Sequence, residues 1–237
     1  MKEIDYLKKY YEGNIDDAIK RLEEGEPVQY IVGNVDFYGY TLNVDKRVLI
    51  PRRETEELVE EVIIRSYSFD NPTIIDVGTG SGAIAIALSK ELNTKIYASD
   101  ISSDALTVAK DNIKKTGANV ELYQGDMLNP YIDNNIKVDI LVSNPPYISE
   151  DEEIEDIVKN NEPSIALYAK TNGTEYYESI LKNANKVLKD RYLIAFEIGS
   201  NQAQLVKELA NKYLPDAKVE IKKDLSKKDR NVFVYNM

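Results

Sequence analysis

Short apolar runs alternate with amphipathic segments through the middle of this chain, and this alternation constrains the fold more than any other feature of the sequence. The apolar runs are typical of parallel strands buried on both faces, and the segments between them have helical spacing. The sequence predicts strand 73–77, helix 81–92, strand 95–99, helix 102–116, strand 120–123 and strand 138–143. Repeated βαβ units of this kind form an α/β fold with a doubly wound, mostly parallel sheet.

The flanking regions complete the predicted architecture. After the βαβ units we expect helix 173–188, strand 192–197, helix 202–214 and strands 217–222 and 232–235. A charged loop separates the last two strands, which favours an antiparallel closing hairpin over another crossover. Before the βαβ units we expect one or two short helices within 4–24 and helix 54–65. The predicted organisation is a short N-terminal helical segment at 1–26, a β-hairpin linker at 27–50 and the main domain at 51–237.

The composition excludes several kinds of chemistry. The 237 residues include no histidine and no cysteine, which excludes disulfides, thiolate nucleophiles, histidine proton shuttles and the usual zinc sites. We therefore expect no metal site, and chemistry that depends on a bound cofactor. The formal net charge of −11 opposes non-specific attraction to nucleic acid and favours a protein substrate. No segment has the apolar length of a membrane span, so we expect no membrane partner and a cytoplasmic location.

A glycine-rich loop follows the first strand of the βαβ region. Asp76 ends that strand, and three glycines follow at alternate positions before the next helix. In open α/β sheets, ligands bind outside the carboxyl ends of the strands, and glycine lets a ligand approach the backbone. The sequence therefore predicts a cofactor site formed by Asp76, Gly78, Thr79, Gly80, Ser81 and Gly82.

The next two strands also end at acidic residues. Asp100 is placed to accept hydrogen bonds from the ribose hydroxyls of a nucleoside, and Asp126 to meet an adenine amino group while Met127 packs on the ring. The spacing GxGxG differs from the GxGxxG of dinucleotide sites, and Asp76 would repel a diphosphate. These features favour the cationic methyl donor S-adenosylmethionine over NAD. A tight turn without a ligand is the alternative for the glycines alone.

The tetrapeptide Asn144-Pro145-Pro146-Tyr147 directly follows strand 138–143. An Asn side chain, proline-stiffened backbone carbonyls and an aromatic ring form a pocket that suits a planar NH2 group. The alternative is a strand end that an Asn-Pro turn closes. The position of this NPPY motif after the glycine loop favours N-methylation. We therefore predict Asn144, Pro145, Pro146 and Tyr147 as catalytic residues, with Asn144 also next to the donor.

With these motifs in order, the chain resembles the class I S-adenosylmethionine-dependent methyltransferases, which have a Rossmann-like fold. Further stretches are similar to the family of peptide-chain release factor glutamine N5-methyltransferases, also called the HemK/PrmC family. These stretches are residues 27–33 (PVQYIVG), 48–56 (VLIPRRETE), 161–167 (NEPSIAL) and 196–199 (FEIG). The resemblance extends from about Pro27 to the C-terminus.

The resemblance implies a fold and an activity. The fold is a seven-stranded methyltransferase sheet with a small N-terminal helical domain, so the main domain at 51–237 becomes a class I methyltransferase domain. The activity is methyl transfer to the side-chain amide N5 of the glutamine in the GGQ motif of class 1 peptide-chain release factors, which act in translation termination. In this interpretation Asn144 Oδ1 and the Pro145 carbonyl grip the amide, Tyr147 stacks on it and Pro146 fixes the turn.

Three features depart from that family, and three alternatives stay open. The segment before Pro27 is shorter than the usual N-terminal domain, Arg53 stands where Pro is common, and Asn172 replaces Asp before a glycine. The sequence does not assign roles to Arg52, Glu54 and Glu197. The alternatives are a DNA or RNA adenine-N6 methyltransferase that flips its target base, a non-catalytic donor-binding protein and a nicotinamide oxidoreductase.

Overall fold

The structure is a computed structural model that describes residues 3–237. Met1 and Lys2, which belong to the segment predicted at 1–26, lie outside the described residues. The helices are α1 (Glu3–Tyr10), α2 (Ile15–Glu23), α3 (Val28–Val32), α4 (Arg53–Ser66), α5 (Ala83–Leu92), α6 (Ser103–Thr116), α7 (Asn129–Asp133), α8 (Asp156–Asn161), α9 (Lys170–Gly173), α10 (Glu175–Asn183) and α11 (Ala203–Tyr213). The strands are β1 (Asn34–Phe37), β2 (Tyr40–Asn43), β3 (Ile74–Val77), β4 (Ile96–Asp100), β5 (Val120–Gln124), β6 (Val138–Ser143), β7 (Ile148–Ser149), β8 (Tyr168–Ala169), β9 (Leu188–Glu197), β10 (Lys218–Lys223) and β11 (Asp229–Asn236).

Seven strands form the central sheet, in the order β10-β11-β9-β6-β3-β4-β5. The five strands from β9 to β5 are parallel, and β11 pairs antiparallel with both β9 and β10. The predicted doubly wound, mostly parallel sheet and its antiparallel closing hairpin are therefore confirmed. The chain runs outward from β3 to β5 and returns on the other side of β3 as β6. The strand order thus reverses between β3 and β6, where open α/β sheets bind ligands.

Helices cover both faces of the sheet. Ile75 and Val77 point to one face and pack with residues of α10 and α11. Ile74 points to the other face and packs with residues of α4 and α5. Because successive side chains of a strand point to opposite faces, a strand covered on both sides needs an unbroken apolar run. All four residues of β3 are buried, including Asp76.

One predicted helix needs correction. The helix predicted at 173–188 ends at Asn183, a 3₁₀ turn follows at Ala184–Lys186, and Leu188 already begins β9. The Val138 N–H donates to the Val187 carbonyl at 2.8 Å, so the backbone here pairs with the start of β6. The local helical periodicity continued across this turn, but the pairing with the sheet determines the structure.

The hairpin predicted within 27–50 occupies β1 and β2, and an unpredicted helix, α3, precedes it. Val28 and Ile31 of this helix are buried against Leu7 of α1 and Ala18 of α2. Packing between these helices therefore overrides the preference of β-branched residues for strands. No helix among residues 3–237 is long and apolar enough to cross a lipid bilayer.

Asn112 of α6 joins the hairpin to the glycine loop. Its buried side-chain amide accepts a hydrogen bond from the Asn43 N–H at 2.7 Å and donates to the Asn43 carbonyl at 3.0 Å. It also donates to the Ser81 carbonyl in the glycine loop at 2.9 Å. A single side chain thus connects β2, α6 and the glycine loop.

We expect Asn112→Ala to lower the free energy of unfolding by about 2–4 kcal/mol, because it leaves buried backbone groups without partners. Denaturant titration measures this change. The matched control is Asn134→Ala, which removes one hydrogen bond from an exposed asparagine to the Pro130 carbonyl and should cost less than about 1 kcal/mol. Equal losses in the two variants would contradict the connecting role of Asn112.

Candidate active site

The loops that follow β3, β4, β5 and β6 surround a cavity of about 320 Å³, the glycine-loop cavity. Val77 at the end of β3 is the register partner of Ser143 at the end of β6, so the glycine loop and the NPPY loop leave the sheet side by side. Most of the predicted cofactor residues line this cavity: Gly78, Thr79, Gly80, Ser81, Asp100, Asp126, Met127 and Asn144.

The glycine loop has a backbone conformation that favours glycine. Gly78 and Gly80 have φ angles of 75° and 54°, and a Cβ atom on either residue would point into open space. The Gly78 N–H donates to the Ser99 carbonyl at 2.9 Å, and the Gly80 N–H donates to Asp100 Oδ2 at 2.8 Å. The fold therefore holds a bare backbone surface against the cavity, which a ligand can approach closely.

Two residues predicted for the cofactor site, Asp76 and Gly82, do not line the cavity. Gly82 precedes α5 with a φ of 85°, and a Cβ atom there would lie 3.3 Å from Ile86 and 3.4 Å from Ala109. Its position thus allows α5 to pack closely on α6. Asp76 is fully buried within β3, beneath the loop. Direct cofactor contact by these two residues stays a prediction.

The buried carboxyl group of Asp76 has one oxygen without a partner. The Thr79 hydroxyl donates to Oδ2 at 2.6 Å, whereas Oδ1 has no hydrogen-bond partner. Burial raises the pKa of Asp76 to about 7. A positive charge next to the glycine loop would favour the ionised form of this carboxyl, so the loop suits a cationic ligand.

Asp100 anchors the far side of the loop. Its two oxygens accept one N–H each, from Gly80 at 2.8 Å and from Ser102 at 2.9 Å. Burial raises the pKa of Asp100, and these backbone hydrogen bonds oppose that shift. Each oxygen retains a further lone pair, so the carboxylate can also accept hydrogen bonds from ligand hydroxyls.

The NPPY motif separates the glycine-loop cavity from a second cavity of about 350 Å³, the NPPY cavity. Pro146 lines the first cavity, whereas Pro145 and Tyr147 line the second. Asn144 lines both, together with Leu49, Arg52 and Ala166. A group bound in one cavity can therefore meet a group bound in the other at Asn144.

Gln202 holds the NPPY loop in place. Its side-chain NH2 group donates to the Tyr147 carbonyl at 2.6 Å and to the Asn172 carbonyl at 3.2 Å, and its oxygen accepts the Gly199 N–H at 3.0 Å. Gly173, with a φ of 76°, lies so close that a Cβ atom there would come within 2.1 Å of the Tyr147 carbonyl oxygen. The loop position thus depends on one glutamine and one glycine from distant parts of the chain.

Arg52, whose role the sequence left open, lines both cavities and pairs with a buried carboxylate. Its guanidinium donates to Glu162, whose other carboxylate oxygen accepts the Ile50 N–H at 3.0 Å. Glu162 belongs to the NEPSIAL stretch, and Ile50 and Arg52 to the VLIPRRETE stretch. This ion pair fastens together the two segments that form one wall of the site.

Glu197, also left open by the sequence, lines the NPPY cavity. Its Oε2 accepts a hydrogen bond from the Thr55 hydroxyl at 2.6 Å, and Thr55 Oγ1 accepts one from the Asn144 side-chain NH2 at 3.3 Å. The sequence interpretation did not select Thr55, Glu162 or Gln202 as site residues. Thr55 and Glu162 lie within the matching stretches of sequence and Gln202 lies three residues after one of them, but only the fold reveals their contacts.

The comparisons with known proteins agree with this geometry. Residues 56–164 match the family model described as "Methyltransferase small domain". The release factor glutamine methyltransferase of Bacillus subtilis is 46% identical over 217 residues, which cover 89% of this chain and 75% of that protein. The Lactococcus lactis protein of the same name is 44% identical and covers 92% and 80%, respectively.

Solved structures show the same fold. The release factor-specific protein-(glutamine-N5) methyltransferase of Alicyclobacillus acidocaldarius superposes with a TM-score of 0.52 at 27% identity, over 79% of this chain and 94% of that chain. A methyltransferase from Pyrococcus furiosus has a TM-score of 0.61 at 16% identity, over 93% and 98% of the two chains. The hMettl16 catalytic domain in complex with the MAT2A 3′UTR hairpin 6 has a TM-score of 0.59 at 17% identity, over 83% of this chain and 76% of that chain, which shows the fold alone.

The fold, the glycine loop and the paired cavities define a class I S-adenosylmethionine-dependent methyltransferase. Within that class, relatives named release factor glutamine methyltransferase are 40–46% identical over most of both chains, which identifies the family. The chain belongs to the release factor glutamine methyltransferase family.

The residues of the glycine-loop cavity fit S-adenosylmethionine. The bare backbone at Gly78 and Gly80 leaves space for a ligand, and the unpaired Asp76 Oδ1 lies beneath the same loop. Asp100 offers free lone pairs at the end of the neighbouring strand. Together these features match a ligand with a positive charge and a ribose.

Gly173 and Gly117 allow a matched test of the NPPY loop. We expect Gly173→Ala to lower the free energy of unfolding by about 2–4 kcal/mol, because a Cβ atom there strains the backbone and collides with the Tyr147 carbonyl. Gly117→Ala strains a similar left-handed residue, with a φ of 65°, in open space and should cost about 1 kcal/mol. Denaturant titration of both variants measures the difference, and equal losses would exclude the predicted contact with the loop.

Proposed function

We propose that this chain transfers a methyl group from S-adenosylmethionine to the side-chain amide N5 of the glutamine in the GGQ motif of class 1 peptide-chain release factors. The observation that carries this proposal is the position of Asn144, on the wall shared by the two cavities. The names of the close relatives, release factor glutamine methyltransferases, support the choice of acceptor.

The glycine-loop cavity is the proposed donor site. Backbone groups at Gly78–Gly80 hold the amino-acid part of the donor, and the Asp100 carboxylate accepts the ribose hydroxyls. Asp126, which is exposed at the cavity rim, faces the adenine amino group, and Met127 packs on the adenine ring. Asp76, beneath the loop, favours the positive charge of the donor.

The NPPY cavity is the proposed acceptor site. A carboxamide nitrogen is a poor nucleophile because its lone pair is delocalised into the carbonyl. Asn144 Oδ1 and the Pro145 carbonyl accept its two N–H groups, and Tyr147 stacks on the amide plane. Burial raises the pKa of Tyr147, so its ring stays uncharged at neutral pH. Holding two reacting groups in attack geometry contributes on the order of 7–11 kcal/mol to catalysis, which suits a chain without histidine.

When bound, S-adenosylmethionine would supply a methyl group that is bonded to a positively charged sulfur. As the amide nitrogen forms its bond to the methyl carbon, the carbon–sulfur bond breaks and its electron pair stays on the sulfur. The nitrogen then releases one proton. Asn144 Oδ1 and the Pro145 carbonyl, by accepting the N–H groups, stabilise the positive charge that develops on nitrogen before the proton passes to solvent. The proline carbonyl is well suited to this role because two successive prolines keep the backbone stiff.

Three further proposals concern the organisation of the chain, its contact with the release factor and its location. Residues 51–237 form the methyltransferase domain, while the helical segment at 1–26 and the linker at 27–50 contact the body of the release factor. The Asn161 side chain donates to the Gly25 carbonyl at 2.9 Å and so ties these N-terminal residues to the rim of the acceptor site. Because release factors act on ribosomes, the proposed location is the cytoplasm.

The direct test incubates the purified protein with methyl-labelled S-adenosylmethionine and a release factor, with unmethylated DNA in a parallel reaction, and locates the label by mass spectrometry. The expected result is one methyl group on the GGQ glutamine and no acceptance by a release factor in which that glutamine is replaced. Label at another position of the release factor, or on adenine, would overturn the proposal.

Asn144→Ala and Asp100→Ala should impair different steps, catalysis in the first variant and donor binding in the second. Asn144→Ala should lower kcat by about 100- to 1,000-fold while donor affinity stays within a few-fold, because it removes a preorganised acceptor of the amide. Asp100→Ala should weaken donor binding at least 10-fold. Calorimetry and steady-state rates measure these effects, with the exposed Asp133→Ala as the control that changes neither. Equal loss of kcat and donor affinity in Asn144→Ala would contradict its assigned role.

A further inference from the structure

Three side chains from distant segments form a hydrogen-bonded chain that begins in the NPPY motif. Glu197 ends β9, Thr55 lies in the first turn of α4, and Asn144 follows β6. The Thr55 hydroxyl donates to Glu197 Oε2 at 2.6 Å, and the Asn144 NH2 group donates to Thr55 Oγ1 at 3.3 Å. The exposed fractions of Glu197 and Thr55 are 1% and 4%, so water does not replace the contact between these two side chains.

Several titratable groups surround the Glu197 carboxyl. Burial raises the pKa of Glu197 to about 7, the Thr55 hydrogen bond and Arg230 lower it, Glu54 raises it, and the nearby Asn144 side chain also lowers it. The backbone carbonyl of Glu197 accepts the Tyr177 hydroxyl at 2.8 Å. The charged and titratable groups around this carboxyl or on the wall of the same cavity are Glu54, Arg230, Tyr147, Tyr177, Arg52, Glu153 and Glu155.

The direction of these hydrogen bonds determines which end of the Asn144 amide faces the acceptor cavity. An ionised carboxylate can only accept, so the single Thr55 hydrogen must point to Glu197. Thr55 Oγ1 can then only accept from Asn144, which must present its NH2 group to it. Asn144 Oδ1 is left as the end that can accept an N–H from an acceptor amide.

We propose that Thr55 and Glu197 are positioning residues that orient the Asn144 side-chain amide, so that Oδ1 and not the NH2 group meets the glutamine amide. This inference rests on the proposed function for the identity of the acceptor. When Glu197 is protonated, its O–H can donate to Thr55, whose own hydrogen is then free to bind Asn144 Oδ1. In that arrangement the Asn144 side-chain amide is reversed, so its NH2 group faces the NPPY cavity. The NH2 group of the substrate glutamine would then meet hydrogen-bond donors where it needs an acceptor. The enzyme is therefore active with Glu197 ionised, and kcat rises with pH through about 7.

The test compares Thr55→Val, Thr55→Ser and Glu197→Gln with the wild-type protein between pH 5.5 and 8.5. Val keeps the shape of Thr without its hydroxyl, whereas Ser keeps the hydroxyl. We expect Thr55→Val to lower kcat at high pH by about 10- to 100-fold, the effect of losing one preorganised hydrogen bond, with KM and donor Kd within about threefold. Thr55→Ser should retain most activity and the rise near pH 7. Thr55→Val and Glu197→Gln should both lose that rise.

Thr107→Val is the matched control, because it removes an exposed threonine hydroxyl that bonds only within α6. It should leave kcat and its pH dependence unchanged. Wild-type kcat and pH dependence in Thr55→Val would overturn the proposal, as would an equal loss of kcat and donor affinity.

A second readout does not depend on the acceptor. In ¹⁵N-labelled protein without substrate, the NH2 resonances of Asn144 should shift with pH around 7 in the wild type and in Thr55→Ser, and should not do so in Thr55→Val or Glu197→Gln. A shift that persists in Thr55→Val would show that Thr55 does not couple Glu197 to Asn144, and it would overturn the proposal whatever the methyl acceptor is. If instead NMR shows the pH-dependent shift of Asn144 and its loss in Thr55→Val, but no label reaches the GGQ glutamine, the proposed substrate is wrong and the positioning role stands.

Discussion

The register between β3 and β6 is the constraint on which the site depends. Val77 and Ser143 end these two buried parallel strands side by side, and the Ser143 hydroxyl donates to the Val77 carbonyl at 2.6 Å. Because the strand order reverses here, the glycine loop and the NPPY loop start from adjacent points with no strand between them. One loop forms the cavity assigned to the donor and the other forms the cavity assigned to the acceptor, and Asn144 stands between them.

Buried polar groups then fix these loops from behind. Gln202 holds the Tyr147 carbonyl, the Tyr131 hydroxyl donates to the Asp76 carbonyl at 3.0 Å, and the Tyr177 hydroxyl donates to the Glu197 carbonyl. Each such bond satisfies a backbone oxygen that is buried or partly buried, so losing one is costly. A site without histidine gains its reactivity from such fixed positions more than from titrating side chains.

The sequence predicts the strands well because they are buried on both faces and read as short apolar runs, as β3 and β6 do. It fails at residues 184–188, where helical periodicity continues but Val187 pairs with the start of β6, and at α3, where packing against α1 and α2 outweighs strand propensity. It selects Asn144 and Asp100 as candidate site residues because each stands at a strand end, and the structure places both on the wall of the glycine-loop cavity. It does not identify Thr55 as a partner of Glu197, because 142 residues separate them and no local pattern records their contact.

The central claim is that Asn144 Oδ1 grips an acceptor amide at the wall between two occupied cavities. A crystal structure with S-adenosylhomocysteine and a GGQ-containing peptide tests it most directly. We expect the nucleoside in the glycine-loop cavity with its ribose on Asp100, and the glutamine in the NPPY cavity with its NH2 group within hydrogen-bond distance of Asn144 Oδ1 and the Pro145 carbonyl. A glutamine amide bound elsewhere, or held by the NH2 group of Asn144, would contradict it.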